Sequence, residues 1–430
     1  MKDILFGCSK HIARYAYLRR DVENMKKLLK HIEVSSKLIV FSSRNKSNRL
    51  EALLYDNQLA FLDIHRFSVF SQLLQKWLIF NTSIESVVKE KGKYDWAKID
   101  AELKEVSLFW LGMDDLNVLG GADTKTSKEI TPSAVCPVPV YAIDISKSDV
   151  LCKFVDSQLV NSNSDYRYSE GMPEIMQMEN ELATVYAYSK TFVDFLSKNN
   201  FCPSCGGHVI PVELGSRLYC LGDSPYPAAA ECKVNLKSNN VQYPRTDPCV
   251  IIALSDDTGR VLLGNNSQRH PTTSESIVDE ITGKKVEWKK RFFSCFAGFM
   301  EPGETIEHAC VREVYEETGL ILQEKDISII ESQPWPFPAS LMIGCIGTIS
   351  REEAVDSKIN VHLDDELEHV QWFDRAEVAK VVSRKGKGIL SRTETVVEEW
   401  FCPPKESVAG RLIDHVVQTN KDPTADNGKF

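Results

Sequence analysis

One stretch of the sequence, residues 298–320, limits the local fold more than any other part of the chain. Gly298, Pro302 and Gly303 lie close together, and such residues build tight loops. Thr305 is of a type that caps helix N-termini, and Gly319 is of a type that ends helices. The pattern therefore predicts a tight loop and then a helix that runs to Glu317.

Acidic side chains occupy one edge of this predicted helix. Glu313, Glu316 and Glu317 stand at positions i, i+3 and i+4 and project together. Like charges this close are costly in an isolated helix, whereas Mg²⁺ or Mn²⁺ takes oxygen ligands and bridges to substrate phosphates. Arg312 can pair with Glu304 and hold the loop against the helix. A solvated acidic face is the alternative, but it explains neither the spaced glycines nor the apolar side of the helix.

A second feature is a group of four cysteines, Cys202, Cys205, Cys220 and Cys232. Two residues separate the first pair, and two glycines follow, which is the turn of a zinc knuckle. Four thiolates leave no position for water, so the predicted Zn²⁺ site is structural. The eleven-residue spacer before Cys232 is long, and His208 is an alternative fourth ligand. Four unrelated buried thiols, or a redox pair, are the competing interpretations.

Composition places the chain among ordinary globular proteins. It has 430 residues, of which 43% are apolar and 26% are charged, and its formal net charge is −10. That charge argues against a protein that wraps nucleic acid by bulk attraction, so an anionic substrate needs a local cation. We find no apolar run long enough for a membrane span and expect no membrane partner. We expect an intracellular, cytoplasmic protein, with peroxisomal and mitochondrial locations left open.

The pattern of apolar and polar residues along the chain predicts several segments of α+β or α/β character. Residues 1–175 read as an α/β domain without a motif, and residues 176–200 as a linking helix. Residues 201–242 hold the cysteines, residues 243–417 form a third domain, and residues 418–430 read as a loose tail. Within the third domain, the polar residues 265–290 are expected to form a surface loop near the site mouth.

Together, the loop and the helix resemble a known family. The spacing G-x5-E-x7-R-E-U-x-E-E-x-G-U, where U is bulky and aliphatic, is the Nudix box, and residues 298–320 satisfy every fixed position. The run Ser-Gln-Pro-Trp-Pro-Phe-Pro-Ala-Ser at residues 332–340 and the preceding cysteines resemble the NADH pyrophosphatases, which include NAD-cap RNA decapping enzymes. The resemblance implies a Nudix fold, a mixed β-sheet sandwiched by helices, preceded by a zinc ribbon.

The resemblance also implies roles for individual residues. The catalytic Mg²⁺ or Mn²⁺ ions would lie on Glu313, Glu317, Glu366 and the carbonyl of Ala297, with Glu316 as a further ligand or water-orienting group. Arg312 and Glu304 complete the catalytic set. Substrate contacts are implied for a tyrosine, an exposed aromatic, a stiff proline-rich loop and a backbone position: Tyr243, Phe299, Gln333, Pro334, Trp335, Pro336, Phe337, Pro338, Ala339, Ser340 and Ala409.

The implied activity is hydrolysis of NADH or NAD⁺ to nicotinamide mononucleotide and AMP, with NAD-capped RNA 5′ ends as a second substrate. Another Nudix substrate, such as ADP-ribose or a diadenosine polyphosphate, is the alternative. Two alternatives from another functional class remain: a catalytically silent Nudix-like module and a zinc-ribbon nucleic-acid adaptor. The complete set of glutamates argues against the first, and the lack of basic clusters argues against the second. The resemblance further suggests a homodimer.

Overall fold

The computed structural model divides the chain into two compact units. It describes residues 4–7, 9–43, 49–91, 93–115, 119, 137–169, 172–226, 232–236, 241–278, 285–383, 389–392 and 396–419. The N-terminal unit comprises Phe6–Arg245 and Pro336–Ala339, and the C-terminal unit comprises Met1–Leu5, Thr246–Trp335 and Ser340–Phe430. The finer domain boundaries given above stay predictions. No helix among the described residues is both long and apolar enough to cross a bilayer.

The N-terminal unit is built on an eight-stranded mixed sheet in the order β1-β6-β7-β2-β3-β4, with β5 paired to β2 and β8 to β3. Its strands are β1 (Ile12–Ala13), β2 (Lys37–Ser42), β3 (Glu51–Tyr55), β4 (Gln58–Leu59), β5 (Leu62–Asp63), β6 (Ser107–Asp114), β7 (Val138–Asp144) and β8 (Tyr166–Ser169). Its helices are α1 (Val22–Ile32), α2 (Ser68–Lys91), α3 (Ala101–Lys104), α4 (Asp149–Val155), α5 (Met172–Gln177) and α6 (Asn180–Lys198).

Alternating side chains cover both faces of this sheet. On β6, Trp110 points into the core formed with α1, α2 and α4, while Phe109 stacks on Phe192 of α6 at 3.8 Å. That alternation is the two-residue period of a strand buried on both sides. The predicted linking helix is thus a layer of this unit, and α6 covers one face of the sheet.

A two-stranded hairpin carries the cysteine group. It consists of β9 (Val209–Val212) and β10 (Arg217–Cys220). Apolar side chains of the hairpin, including Ile210 and Tyr219, pack with Ile84 of α2. Its turn is tied to the sheet as well, because the Trp110 N–H donates to the Leu214 carbonyl at 3.0 Å.

The C-terminal unit contains two sheets. The larger has the order β16-β17-β11-β12-β18, with β15 paired to β11, and the smaller has the order β13-β14-β20-β19. The strands are β11 (Asp247–Asp256), β12 (Val261–Asn265), β13 (Thr273–Val278), β14 (Lys285–Phe292), β15 (Phe296–Phe299), β16 (Ile327–Trp335), β17 (Ser340–Ile349), β18 (His369–Phe373), β19 (Ile389–Arg392) and β20 (Val396–Phe401). The helices are α7 (Ile306–Thr318), α8 (Arg375–Ser383) and α9 (Val408–Thr419).

Helices sandwich the larger sheet, as the Nudix resemblance implies. On β11, Val250 and Ile252 pack toward α7, while Ile251 and Ala253 pack toward α8 and α9. Since β11 runs parallel to β17 and antiparallel to β12 and β15, the sheet is mixed. The α+β class and the Nudix fold predicted from the sequence are confirmed, and the zinc ribbon stays a prediction.

The prediction of a surface loop at residues 265–290 was wrong. β13 and β14 form an antiparallel hairpin, and β14 also pairs in parallel with β20. Apolar residues that alternate with charged ones, such as Val286 (4% exposed) opposite Ile277, favour a strand despite the polar composition. Residues 279–284, and residues 420–430 of the predicted tail, lie outside the described residues.

Candidate active site

The predicted loop and helix are present in the C-terminal unit. β15 ends at Phe299, and α7 begins at Ile306 after a turn. Thr305 caps α7, since its side chain accepts a hydrogen bond from the His308 N–H at 3.2 Å. Gly319 follows the last turn with a φ of 73°, a left-handed conformation that glycine adopts without strain. These caps fix where α7 begins and ends, and therefore where its carboxylates lie.

Gly298 makes room for one of those carboxylates. A Cβ atom built on Gly298 would lie 2.0 Å from Oε2 and 2.1 Å from Cδ of Glu313. Real Cβ atoms do not approach other atoms so closely, so any side chain here would displace Glu313. The opening glycine therefore leaves the space that the end of the flexible Glu313 side chain occupies.

Arg312 joins the loop to the acidic edge of α7. Its Nε and Nη2 donate to the two carboxylate oxygens of Glu304 at 2.7 and 2.9 Å, and Nη2 also donates to the Phe299 carbonyl. Its Nη1 donates to Glu313 and Glu316 at 2.8 and 2.9 Å. The hydrogen bonds from Arg312 to Glu304 are the largest cause that lowers the pKa of Glu304, to about 2. The predicted pair of Arg312 with Glu304 is thus one part of a larger network.

Glu317 is the most deeply buried carboxylate of the group. Its side chain is 4% exposed and accepts one hydrogen bond, from the Ala297 N–H at 3.2 Å. Burial raises its pKa well above the ordinary value, and the nearby charges of Glu313, Asp364 and Glu366 raise it further. A buried anion surrounded by other anions is costly, and a divalent cation removes that cost. The donor set therefore fits a hard metal ion.

Glu366 lies on the loop before β18, and its charge acts on two glutamates of α7. Its charge raises the pKa of Glu313 as well as that of Glu317, although burial is the largest cause for both. Asp364 acts on Glu317 in the same way and was missed by sequence reasoning. The signal was present, since Asp364 is two residues before Glu366 in an acidic run. Glu366 also lies 3.7 Å from the Arg269 guanidinium.

The predicted substrate residues of the C-terminal unit differ in their exposure to solvent. Phe299 is 57% exposed, so its ring is available to stack on a base. Pro334 is exposed, Trp335 is half-buried, and Ser340 and Ala409 are buried. The structure brings Phe299 to the glutamate network through its carbonyl, which accepts from Arg312. The roles of the other four stay predictions.

Gln333 holds backbone segments of the C-terminal unit together. Its side chain is 1% exposed, its Nε2 donates to the Leu5 carbonyl at 2.9 Å, and its Oε1 accepts from the Val408 N–H at 3.0 Å. The amide therefore ties β16 to the chain start and to the first turn of α9. The predicted substrate contact of Gln333 stays a prediction.

The remaining loop residues and Tyr243 belong to the N-terminal unit. Within that unit, Lys190 of α6 donates to the Pro336 carbonyl at 3.1 Å and lies 5.4 Å from the centre of the Phe337 ring. The Phe337 ring also meets those of Phe6 and Tyr186. Tyr243 accepts a hydrogen bond from Arg20 at 3.4 Å. Pro338 is exposed and Ala339 half-buried, and the substrate roles of all these residues stay predictions.

All four predicted cysteines come together in the N-terminal unit. Their sulfur atoms lie within 4.8 Å of one another, and within the described part of the chain no other group of ligand side chains is gathered so closely. The separations are 3.7 Å between Cys202 and Cys232 and 3.5 Å between Cys205 and Cys220. The long spacer before Cys232 does not prevent it from joining the group, which could hold a metal ion.

His208 is not the fourth member of this group. Its Nδ1 pairs with Asp223 at 2.8 Å, and its ring stacks on Trp96 at 4.5 Å with an interplanar angle of 3°. Both interactions engage the imidazole with residues outside the cysteine group. The alternative in which His208 replaces Cys232 is therefore excluded by the arrangement of the side chains.

Comparisons with known proteins agree with this geometry. A family model described as the NUDIX domain matches residues 245–392. NAD-capped RNA hydrolase NPY1 of Saccharomyces cerevisiae is 34% identical over 71% of this chain and 73% of its own length. The Schizosaccharomyces pombe NAD-capped RNA hydrolase is 36% identical, over 64% of each chain. NAD-capped RNA hydrolase NUDT12 of Homo sapiens is 32% identical over 58% of this chain, which spans only 45% of that relative.

Proposed function

The chain belongs to the Nudix hydrolase family, in the group of NADH pyrophosphatases and NAD-capped RNA hydrolases, and on that premise we propose that it hydrolyses the diphosphate of NADH and NAD⁺. The products are nicotinamide mononucleotide and AMP. We propose NAD-capped RNA 5′ ends as a second substrate. The observation that carries the proposal is the buried Glu317 among acidic neighbours, because this arrangement is stable once a divalent cation is bound.

Mg²⁺ or Mn²⁺ is the proposed catalytic ion, since both prefer carboxylate and carbonyl oxygens. Glu313, Glu316, Glu317, Glu366 and the Ala297 carbonyl would hold it. When bound, such an ion neutralises the diphosphate and acts as a Lewis acid toward the reacting oxygens. Nudix hydrolases need a divalent metal, and this chain has the acidic side chains for it.

The protein's own groups prepare the reaction in three ways. Arg312 fixes Glu313 and Glu316 through Nη1, so that these carboxylates do not have to be ordered when substrate binds. Gly298 leaves the space that the Glu313 carboxylate occupies. Phe299 offers an exposed ring next to this network, and base stacking on an aromatic ring contributes about 1–3 kcal/mol.

Zn²⁺ is the proposed occupant of the cysteine group. A tetrahedron with metal–sulfur bonds near 2.3 Å has sulfur–sulfur edges of about 3.8 Å, close to the measured 3.5 and 3.7 Å. Four thiolates complete the coordination, so the ion would be structural. It would brace the hairpin β9–β10, which packs on α2.

The deciding experiment compares kcat/KM for NADH, NAD⁺, ADP-ribose, a diadenosine polyphosphate and NAD-capped RNA, each with Mg²⁺ and with Mn²⁺. We expect NADH and NAD-capped RNA to be the preferred pair. Preference for ADP-ribose or the diadenosine polyphosphate, with active enzyme, would overturn the substrate assignment. Loss of all activity with intact metal binding would instead indicate a silent module.

Two further proposals rest on the sequence alone, the first on the family resemblance and the second on the lack of an apolar run long enough for a membrane span. We propose a homodimer, which light scattering on the purified full-length chain tests directly, a monomer being the contrary result. We also propose a cytoplasmic location, which imaging of the tagged protein tests against the peroxisomal and mitochondrial alternatives.

A further inference from the structure

Two arginines of the N-terminal unit meet at one tyrosine. The guanidinium carbon of Arg14 lies 4.0 Å from the centre of the Tyr188 ring. Arg19 Nη2 donates a hydrogen bond of 2.5 Å to the Tyr188 hydroxyl oxygen. Arg19 lies in the 3₁₀ helix Ala16–Arg20, with Arg14 two residues before it, and Tyr188 lies on α6. We refer to Arg14, Arg19 and Tyr188 as the arginine cluster.

No negative charge balances the cluster within the described residues. Neither Arg14 nor Arg19 has a carboxylate partner there. Burial raises the pKa of Tyr188, so the phenol stays neutral at physiological pH. The carboxylates that contact neighbouring residues are engaged elsewhere: Glu181 accepts from Ser9 and from two backbone N–H groups, Asp115 accepts from Tyr15, and Glu213 pairs with Arg20 at 3.0 Å.

The positive charge of Arg19 is buried. The residue is 8% exposed, and its Nε is buried without a hydrogen-bond partner in the described structure. Its guanidinium lies 5.1 and 5.7 Å from the ring centres of Phe109 and Phe192. A buried cation that has aromatic contacts but no counter-ion is costly, and an anion bound nearby lowers that cost. Arg14 is exposed, so such an anion can approach from solvent.

The same short helix leads toward a predicted substrate residue. Arg20 ends it, and Arg20 Nη2 lies 3.4 Å from the hydroxyl oxygen of Tyr243. Five residues of 3₁₀ helix span about 10 Å. A ligand that reaches Tyr243 and continues along this surface would therefore meet the arginine cluster.

A capped RNA has such a continuation, whereas free NADH has none. Its phosphodiester chain carries one negative charge for each nucleotide, and the protein's net charge of −10 repels it. Binding then requires local cations free of acidic partners. Guanidinium groups suit this task, since they pair with phosphate in a bidentate manner and stay charged at any physiological pH.

We propose that the arginine cluster binds a backbone phosphate of the RNA chain in NAD-capped RNA and takes no part in NADH hydrolysis. The inference deepens the proposed function and rests on it. The cluster would separate the two proposed substrates, because only the capped RNA carries a phosphodiester chain beyond the cap.

The test uses the full-length protein with Arg14→Gln, which removes the exposed charge and leaves the buried Arg19 in place. Arg14→Lys keeps the charge. The matched control is Arg167→Gln, which removes a partly exposed arginine of the same unit that already has a carboxylate partner, Glu174, at 3.6 Å. KM and kcat are measured for NADH and for an NAD-capped RNA of about thirty nucleotides over a range of salt concentrations.

We expect Arg14→Gln to raise KM for the capped RNA about fivefold and to reduce its salt dependence by about 0.7 in log–log slope, the value for one phosphate of a single strand. NADH kinetics should be unchanged, Arg14→Lys should restore most of the RNA affinity, and Arg167→Gln should resemble the unsubstituted protein. Equal kinetics of Arg14→Gln and Arg167→Gln on the capped RNA would refute the proposal.

A binding arm separates this proposal from the proposed function. Anisotropy of a labelled, uncapped RNA with a 5′-monophosphate measures the cluster without turnover. Weaker binding by Arg14→Gln supports the cluster even if neither NADH nor capped RNA is hydrolysed. Displacement of that RNA by inorganic phosphate at low millimolar concentration would identify a small-anion site and would overturn the RNA assignment.

Discussion

The Glu313 carboxylate lies where a side chain on residue 298 would have to be, 2.0 Å from the Cβ that Gly298 lacks. Two elements of the C-terminal unit, β15 and α7, meet at this contact. The carboxylate in turn accepts a hydrogen bond from Arg312. One absent methyl group thus determines where a proposed metal ligand can stand.

Gly298→Ala should therefore remove activity by moving Glu313. We expect kcat/KM for NADH to fall at least about a hundredfold, because catalytic groups tolerate displacements of well under 1 Å. Gly303→Ala is the control: a Cβ there meets nothing within 4 Å, and only its φ of 96° is unfavourable. Similar activity losses in the two variants, measured under the same conditions, would show that the contact with Glu313 is unimportant.

Glu317→Gln should abolish turnover and spare the fold. The substitution removes a buried carboxyl group whose pKa is raised by burial and by neighbouring carboxylates, which means that its charged form is costly without a metal ion. We therefore expect the metal-free variant to melt at the same temperature as the unsubstituted protein or higher. Mn²⁺ should raise the melting temperature of the unsubstituted protein more than that of the variant. Melting curves with EDTA and with Mn²⁺ check both points, and a variant with normal activity would disprove the metal assignment.

Arg312→Lys should be strongly impaired although the charge is kept. A lysine cannot reach Glu304, Glu313, Glu316 and the Phe299 carbonyl at once, whereas the guanidinium does. We expect kcat to fall by about a hundredfold and stability to fall by about 1–3 kcal/mol. Kinetics and urea unfolding measure the two effects. Arg351→Lys, on the exposed surface of the same unit, is the control.

Cys202→Ser should release the proposed zinc ion. Elemental analysis should find about one zinc per chain in the unsubstituted protein and much less in the variant, and the melting temperature should fall by about 10 °C. His208→Ala should keep the ion, since His208 pairs with Asp223. Cys152→Ser, a cysteine outside the group, is the second control. Full zinc content in Cys202→Ser would contradict the four-cysteine site.

Gln333→Ala should raise KM for NADH through loss of order in β16. The Leu5 carbonyl and the Val408 N–H would lose their partner, which costs about 1–3 kcal/mol of stability when both groups are buried. Gln323→Ala, at an exposed glutamine, is the matched control. A variant of unchanged stability would show that the two backbone groups find other partners.

Local sequence patterns predicted the parts of the site that local chemistry determines. Thr305, Gly319 and the spacing of Glu313 and Glu317 are enough to place a capped helix with one acidic edge. The spacing of Cys202 and Cys205 pointed to the cysteine group in the same way. In each case the residues that matter are neighbours along the chain.

Contacts between distant segments could not be predicted. Gln333 is anchored by Leu5 and Val408, which lie far from it in sequence, and the space at Gly298 is filled by a side chain of another element. The polar composition of β13–β14 predicts a loop, whereas its pairing with β20 is a tertiary interaction that composition does not reveal. Asp364 is recognised as part of the acidic group only when the loop before β18 is placed near Glu317.

The most direct test of the central claim is identification of the products formed from NADH and from NAD-capped RNA, with Mn²⁺ and with EDTA, by the unsubstituted protein and by Glu317→Gln. We predict reduced nicotinamide mononucleotide and AMP from NADH, and nicotinamide mononucleotide and a 5′-monophosphate RNA from the capped RNA. Both reactions should require the metal and Glu317. Release of free nicotinamide, or cleavage that continues in EDTA or in Glu317→Gln, would contradict the account.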